Sequence, residues 1–367
     1  MNLRDLAPAH VRAIAAYVPG KPIAETAREL GIAEADILKL ASNENPLGSS
    51  PRAIEAIRAA LGDLAYYPDG SGFDLKAAIA AKFAVGPEHI VLGNGSNDVL
   101  ELVARAFLTR ENSTVYSQHA FMVYALATQA AGARHVEVPA KHYGHDLDAM
   151  ARAVRPDTRI VFLANPNNPT GTFLPWADIE AFLGRVPRHA LVVIDEAYGE
   201  YLPPERQSPA ATWLGRHPNL VLTRTLSKAY GLAGLRVGFG LAHPEVAELM
   251  NRVRQPFNVN HLALVAAVAA LGDDEFIARS RSVNAAGLAQ LAAGFERLGL
   301  EYIPSSGNFI AVKVGDAASA YGKLLSEGVI VRPVANYGLP EFLRVTVGTE
   351  AQNGRFLAAL ARALGEA

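Results

Sequence analysis

Cysteine is absent from the 367-residue sequence, which excludes a disulfide framework, a thiol nucleophile and cysteine-ligated zinc or iron–sulfur centres. Lysine is scarce, at eight of the 34 basic residues, so each lysine is a candidate to be accounted for. Neither sign of charge dominates: 34 basic and 36 acidic side chains leave a net charge of −2, and no nucleic-acid partner is expected. Long apolar runs are also missing. The longest, Leu262 to Leu271, spans ten residues, too few to cross a hydrocarbon core about 30 Å thick. The opening stretch carries Arg4, Asp5 and Arg12 in place of the apolar core of a secretory signal. None of the ten histidines falls in a His-x-x-x-His pair, and no metal site is expected. What remains is the expectation of a cytoplasmic protein acting on small molecules, with no membrane partner.

Half of the residues are hydrophobic, and a chain of this length normally divides into more than one domain. From about residue 88, short continuous apolar runs alternate with amphipathic segments. His89 to Leu92, Arg159 to Leu163, Ala190 to Ile194 and Leu220 to Leu222 read as strands buried on both faces of a mainly parallel sheet. Val99, Leu102, Val103 and Ala106 recur at helical spacing, and the segment after Pro175 reads as another helix. Beyond residue 241, helices are expected over His243 to Arg254, Leu262 to Leu271 and Asp273 to Leu298. Strands follow at Asn308 to Val314, Val329 to Val331 and Leu343 to Val347, and a closing helix at Glu350 to Leu364. The expected organisation is α/β, with an arm (1–40), a large domain (41–255) and a smaller α+β domain (256–367).

Four segments carry candidate chemistry. Lys228 follows the run Leu220 to Thr225 and precedes the glycine-punctuated Tyr230 to Arg236. A lysine at a strand end can be desolvated, which frees its amine for imine chemistry, although most lysines are surface charges. Asp195 ends Leu191-Val-Val-Ile-Asp195, at the carboxyl edge where open α/β sheets bind ligands. It could hold a metal, act as a base, neutralise a cationic ring nitrogen, or merely cap the next helix. Asn165-Pro-Asn-Asn-Pro-Thr-Gly171 is a rigid polar turn directly after a strand. Val91-Leu-Gly-Asn-Gly-Ser-Asn-Asp98 runs from strand through glycines into a helix start, which suits a phosphate ester. It lacks the third glycine of a dinucleotide fingerprint.

These segments, together with Lys39-Leu-Ala-Ser-Asn-Glu-Asn-Pro-Leu-Gly48, Tyr67-Pro-Asp69 and Leu343-Arg-Val-Thr-Val-Gly348, resemble the fold-type I pyridoxal-phosphate aminotransferases. The resemblance is to the histidinol-phosphate aminotransferases in particular and covers nearly the whole chain. It implies a large domain with a mainly parallel sheet, a smaller α+β domain, pyridoxal 5'-phosphate as cofactor and a homodimer. By matching motif, Lys228 resembles the lysine that links to the cofactor and shuttles the substrate proton. Asp195 resembles the carboxylate that keeps the ring nitrogen protonated, and Tyr198 and Asn168 the donors to the ring's phenolic oxygen. Gly95, Ser96, Asn97, Thr225, Ser227 and Arg236 resemble the phosphate cup, Phe121 the ring that stacks on the cofactor, and Tyr67 a residue reaching the partner's cofactor phosphate.

On the substrate side, Arg344 resembles the arginine that holds a substrate carboxylate, with Arg332 a second cation for a dianionic group; the plain alternative for Arg332 is a surface pair with Glu341. Tyr17 and Asn308 match positions lining the substrate side. The reaction implied is transamination of L-histidinol phosphate with 2-oxoglutarate. An aromatic amino-acid donor is the alternative, which Tyr337-Gly-Leu-Pro340 also suits, followed by a decarboxylase on the same scaffold. With 41 residues ahead of Ser42, no DNA-binding domain is expected before the core.

Overall fold

The computed structural model describes residues 2–16 and 20–365. After a two-residue strand, β1 (Leu38–Lys39), the chain lays down β2 (Ile90–Gly93), β3 (Ser113–Ser117), β4 (Arg134–Val138) and β5 (Thr158–Ala164). Then come β6 (Leu191–Asp195), β7 (Leu220–Thr225) and β8 (Gly238–Ala242). β2 to β8 form a seven-stranded sheet in the order β2-β8-β7-β6-β5-β3-β4. Neighbours pair in parallel except at β8, which is antiparallel to both β2 and β7.

β5 shows why the sheet lies inside the molecule. Its Ile160, Val161, Phe162 and Leu163 are all fully buried, and successive side chains of a strand point to opposite faces. Val161 and Leu163 therefore join a core with Ile179 and Phe182 of the helix Trp176–Leu183, while Ile160 and Phe162 join one with Val99 and Val103 of the helix Ser96–Phe107. Each such side chain contributes about 1.5–3 kcal/mol relative to exposure, and both faces are covered as the continuous apolar runs predict.

β8, like β3 and β4, lies outside the apolar runs named from the sequence. Two of its five residues are glycine, and both make room for the helix Ser96–Phe107. A Cβ on Gly238 would lie 2.5 Å from the Ser96 nitrogen, and one on Gly240 2.8 Å from Cγ1 of Val99.

The later strands are β9 (Tyr302–Ile303), β10 (Phe309–Lys313), β11 (Val329–Ile330), β12 (Arg332–Val334) and β13 (Leu339–Thr346). Four of them make an antiparallel sheet in the order β12-β13-β10-β9, and β11 pairs in parallel with β1. The single strand expected over Val329 to Val331 is thus split at Val331 between two sheets. Ile310, Val312, Leu343 and Val345 pack on Phe295 and Phe356 of the helices Asp274–Arg297 and Glu350–Leu364. Alternation then turns Arg344 and Thr346 the other way, towards the large sheet.

The helix His261–Leu271 shares the core of the large sheet and packs on the helices Pro51–Ala60 and Phe73–Phe83. A division at 255/256 would assign it to the smaller domain instead. Among the described residues, no helix is long and apolar enough to cross a membrane, and no group of three or more His, Cys, Asp or Glu side chains is placed to hold a metal ion.

Candidate active site

A cleft of about 280 Å³ opens at the carboxyl ends of the parallel strands, between the seven-stranded and the four-stranded sheets. Lys228 reaches it from the turn after β7. Its Nζ donates to the Ser42 carbonyl at 3.0 Å and lies 6.0 Å from the centre of the Tyr198 ring. Desolvation, and after it the facing Arg344 guanidinium, push its ammonium down to about 8. A neutral amine is therefore accessible at a pH where an ordinary lysine stays charged.

Asp195, the last residue of β6, forms part of the cleft floor and is buried. Burial pushes its carboxyl up, and three donors oppose that shift: the Tyr124 hydroxyl, 2.9 Å from Oδ2, then the Thr223 hydroxyl, and the Ala197 N–H, 3.2 Å from Oδ1. The bond to Ala197 closes the turn after β6, where the plain reading expected a cap on the next helix. It uses one oxygen and leaves the carboxylate able to face a cationic ring atom as well. Tyr198 turns into the cleft three residues later. Burial pushes its hydroxyl up to about 12, so at neutral pH it is a proton donor. Behind this turn, Arg224 is bonded to Glu196 and Glu200 in a buried ionic cluster that fixes the backbone from below.

The phosphate-sized end is built from backbone. Gly95 precedes the helix Ser96–Phe107 with a left-handed φ of 86°, and a Cβ there would sit 2.4 Å from Nη2 of Arg236. Only glycine lets the guanidinium close over the helix start. Nη1 of Arg236 donates to Ser227 Oγ at 3.2 Å, and Thr225 Oγ1 donates to the same oxygen at 2.9 Å. Ser96 and Asn97 lie in the first helical turn and line the cleft. Unpaired amides, a helix N-terminus and a guanidinium together form an anion cradle.

Of the three asparagines in the polar turn, two are structural. Asn165 exchanges two bonds with the Leu174 backbone (2.9 and 3.1 Å), and Asn167 bonds to the His119 carbonyl and Thr170. Asn168 alone reaches the cleft, where its Oδ1 accepts Nη1 of Arg344 at 2.5 Å and its amide N–H groups remain available as donors. Arg344 also donates to the Ala41 carbonyl at 2.8 Å. Arg332 stands directly opposite Arg344 across the β12–β13 pair, and both line the cleft. Glu341, the alternative partner for Arg332, instead lies 3.8 Å from Lys313. Phe121 lines the cleft with its ring at 86° to that of Tyr124.

Two expected residues fall elsewhere, and a third is not described. Asn308 is a correction: it is 1% exposed and does not line the cleft, because its amide is drawn inward to the Asn43 carbonyl (2.9 Å) and the Tyr201 hydroxyl (3.3 Å). Tyr67 is 83% exposed, outside its own chain's cleft, and stacks on Phe257 at 4.8 Å. Tyr17 lies outside the described residues. Sequence reasoning also missed Tyr124 and Asn43. Tyr124 follows Phe121 at i, i+3, a spacing that places both on one side of a helical turn, so the signal was there.

The family model for aminotransferase class I and II matches residues 35–360. A histidinol-phosphate aminotransferase of Nitrosospira multiformis is 60% identical over 99% of this chain and 93% of its own length. One from Thiobacillus denitrificans is 61% identical over 98% and 94%. Among solved structures, histidinol-phosphate aminotransferase from Sinorhizobium meliloti in complex with pyridoxal-5'-phosphate matches with a TM-score of 0.89. It is 30% identical and covers 97% of each chain. With Lys228, Asp195 and the anion cradle converging on one cleft, and with relatives this similar over nearly the whole length, the chain belongs to the class I and II aminotransferase family.

Proposed function

We propose that this chain is a pyridoxal-phosphate-dependent aminotransferase that moves the amino group of L-histidinol phosphate to 2-oxoglutarate, giving imidazole acetol phosphate and glutamate. The observation that carries the substrate is the pair Arg332 and Arg344, set side by side at the cleft. Both guanidinium groups line one cleft, so an anion that enters it meets two charged forks at once. A phosphate on one substrate and a carboxylate on the other suit the same two guanidinium forks.

The residues fit the cofactor. The cradle of Gly95, Ser96, Asn97, Thr225, Ser227 and Arg236 would hold its phosphate, and Phe121 would cover its ring. Asp195, a desolvated carboxylate, would set its charge against the ring nitrogen, and Tyr198 and Asn168 would donate to the ring oxygen. When bound, the cofactor supplies an electron sink for the carbanion left at the substrate Cα. Lys228 would anchor the cofactor, and its Nζ, held low by desolvation, takes and returns the Cα proton.

A homodimer belongs to this reading. Tyr66, Tyr67, Phe73 and Phe257 are exposed aromatic residues, and Tyr67 would complete the cradle of a second copy. The reading also carries a cytoplasmic location. We further propose that the large domain continues through the helix His261–Leu271, so that the smaller one begins within Asp274–Arg297.

The test is a single half-reaction. Cofactor-loaded protein is mixed separately with L-histidinol phosphate and with L-phenylalanine, and the change in cofactor absorbance is timed. Fast conversion by histidinol phosphate is the expected result. Faster conversion by phenylalanine would establish the second reading, an aromatic aminotransferase, which Tyr337 in the cleft wall favours. Bound cofactor with no conversion by either would overturn both.

A further inference from the structure

The segment Ser42–Asn45 runs between the two sheets, and Asn43 is its most constrained residue. Asn43 is 1% exposed and holds a left-handed φ of 57°. Glycine meets that conformation with less strain than asparagine does, so the asparagine side chain is there for what it bonds. All its polar groups are engaged. The backbone N–H donates to Thr346 Oγ1 at 2.9 Å, and the carbonyl accepts Asn308 Nδ2 at 2.9 Å. Oδ1 accepts the Thr346 hydroxyl at 3.2 Å, and Nδ2 donates to the Tyr198 hydroxyl oxygen at 2.9 Å.

The orientation of the amide follows from these partners. Thr346 already accepts the Asn43 N–H, so its own proton goes to Oδ1, which leaves Nδ2 facing Tyr198. An amide nitrogen has protons and no acceptor, so the Tyr198 oxygen accepts and its own proton stays uncommitted in this bond. The same small-sheet strands fix the ring. Phe309, the cross-strand partner of Thr346, meets the Tyr198 ring edge-on at 5.1 Å.

We propose that Asn43 is a positioning residue: by occupying the acceptor side of the Tyr198 hydroxyl it directs that hydroxyl's proton into the cleft, and through Thr346 and Asn308 it ties this donor to the seating of the four-stranded sheet. The proposal rests on the reading of Tyr198 as a donor to the cofactor's ring oxygen. Around Tyr198 stand Asp195 on its own turn, Lys228 after β7, Arg344 on β13, and Tyr124, Tyr201 and Tyr337. These groups stay in place in every variant below.

A proton donated to the ring oxygen stabilises negative charge there, so losing it makes the neighbouring nitrogen hold its proton more tightly. The readout is the pH midpoint of the visible absorption of cofactor-loaded protein, which activity measurements do not share. Tyr198→Phe should raise that midpoint by about one pH unit. Asn43→Gly keeps the backbone conformation and should raise it by a substantial part of that, with no further rise in the Asn43→Gly/Tyr198→Phe double variant. Thr346→Val removes only the hydroxyl that orients the amide and should give a smaller rise in the same direction. It keeps the test alive if the glycine variant fails to fold. A midpoint moved by Tyr198→Phe but by neither Asn43→Gly nor Thr346→Val overturns the role of Asn43 and leaves that of Tyr198 standing. A midpoint that Tyr198→Phe itself leaves in place overturns the reading of Tyr198 and the proposal with it.

Discussion

The floor of the cleft takes Asp195, Thr225, Ser227 and Lys228 from the ends of neighbouring parallel strands, whereas its far wall takes Arg332 and Arg344 from two antiparallel strands of the other sheet. The floor is held from several directions at once: the Tyr124 bond to Asp195, the buried Arg224 cluster and the close glycine contacts at the helix start. The wall meets the floor through Arg344, which donates to Asn168 and to the Ala41 carbonyl, and through the bonds of Thr346 and Asn308 by way of Asn43 to Tyr198. A rigid floor suits chemistry common to every amino donor, and a wall on a separate sheet can be altered for a new donor without disturbing that floor. The comparison can be broken by variants on either side.

The largest effect is expected at Lys228. Lys228→Ala removes both the anchor and the proton-transfer group, the second alone accounting for roughly 10²–10⁴ in rate. Steady-state turnover should vanish, and retained turnover in a clean preparation would refute the assignment. The wild-type residue makes a pH prediction as well. With its ammonium pushed down to about 8, the neutral amine becomes available as pH rises through that value. The rate at which cofactor-free protein captures the cofactor should climb to about pH 8 and then level off. An ordinary lysine would keep climbing towards pH 10. A rate still rising tenfold per unit above pH 9 would show that the cleft does not desolvate the amine.

What the sequence made legible follows the same division. The floor is written in short contiguous motifs, since a strand end and its turn deliver Asp195 and Tyr198, or Thr225, Ser227 and Lys228, within a few residues. The helix start after Gly95 is equally local. β8 was hidden because packing against Val99 and Ser96 requires glycine where a strand normally shows branched side chains. Asn308 was misplaced because its environment is decided by Asn43 and Tyr201, 265 and 107 residues away in sequence, which no local pattern encodes. The helix His261–Leu271 has alanine on much of its buried surface, and its partner sheet is chosen by shape rather than by pattern.

Next in size come the arginines. Arg344→Lys keeps the charge but loses the planar fork, and with it the simultaneous bonds to Asn168 and Ala41. KM for both substrates should rise about 10- to 100-fold, in line with the loss of charged hydrogen bonds at about 1.5–3 kcal/mol each. Because Arg344 also touches Asn168, kcat should fall with it. Arg332→Lys should raise KM more modestly and leave kcat nearly intact, with the larger penalty on the dianionic phosphate substrate. Equal effects of the two variants on kcat would erase the distinction between floor and wall, and would place both arginines in the chemistry.

The finest test lies within the floor, at a residue that touches neither phosphate nor substrate in this reading. Tyr124→Phe removes one oxygen from a ring clamped flat against Phe162, 4.7 Å away at an interplanar angle of 1°, so the geometry should survive. Asp195 then loses the donor at Oδ2 and keeps the Ala197 N–H at Oδ1. Its carboxyl, already raised by burial, rises further, and it becomes a weaker countercharge for a protonated ring nitrogen. One hydrogen bond of this kind corresponds to about 1 kcal/mol, or roughly fivefold in the rate of Cα deprotonation. The half-reaction should slow by that factor, with substrate KM unchanged because the wall is untouched. A half-reaction at the wild-type rate would mean that the remaining donors, Thr223 and the Ala197 N–H, hold the carboxylate without Tyr124, and that the floor is over-determined. A loss approaching that of Lys228→Ala would mean the reverse, that the countercharge depends on a single hydroxyl.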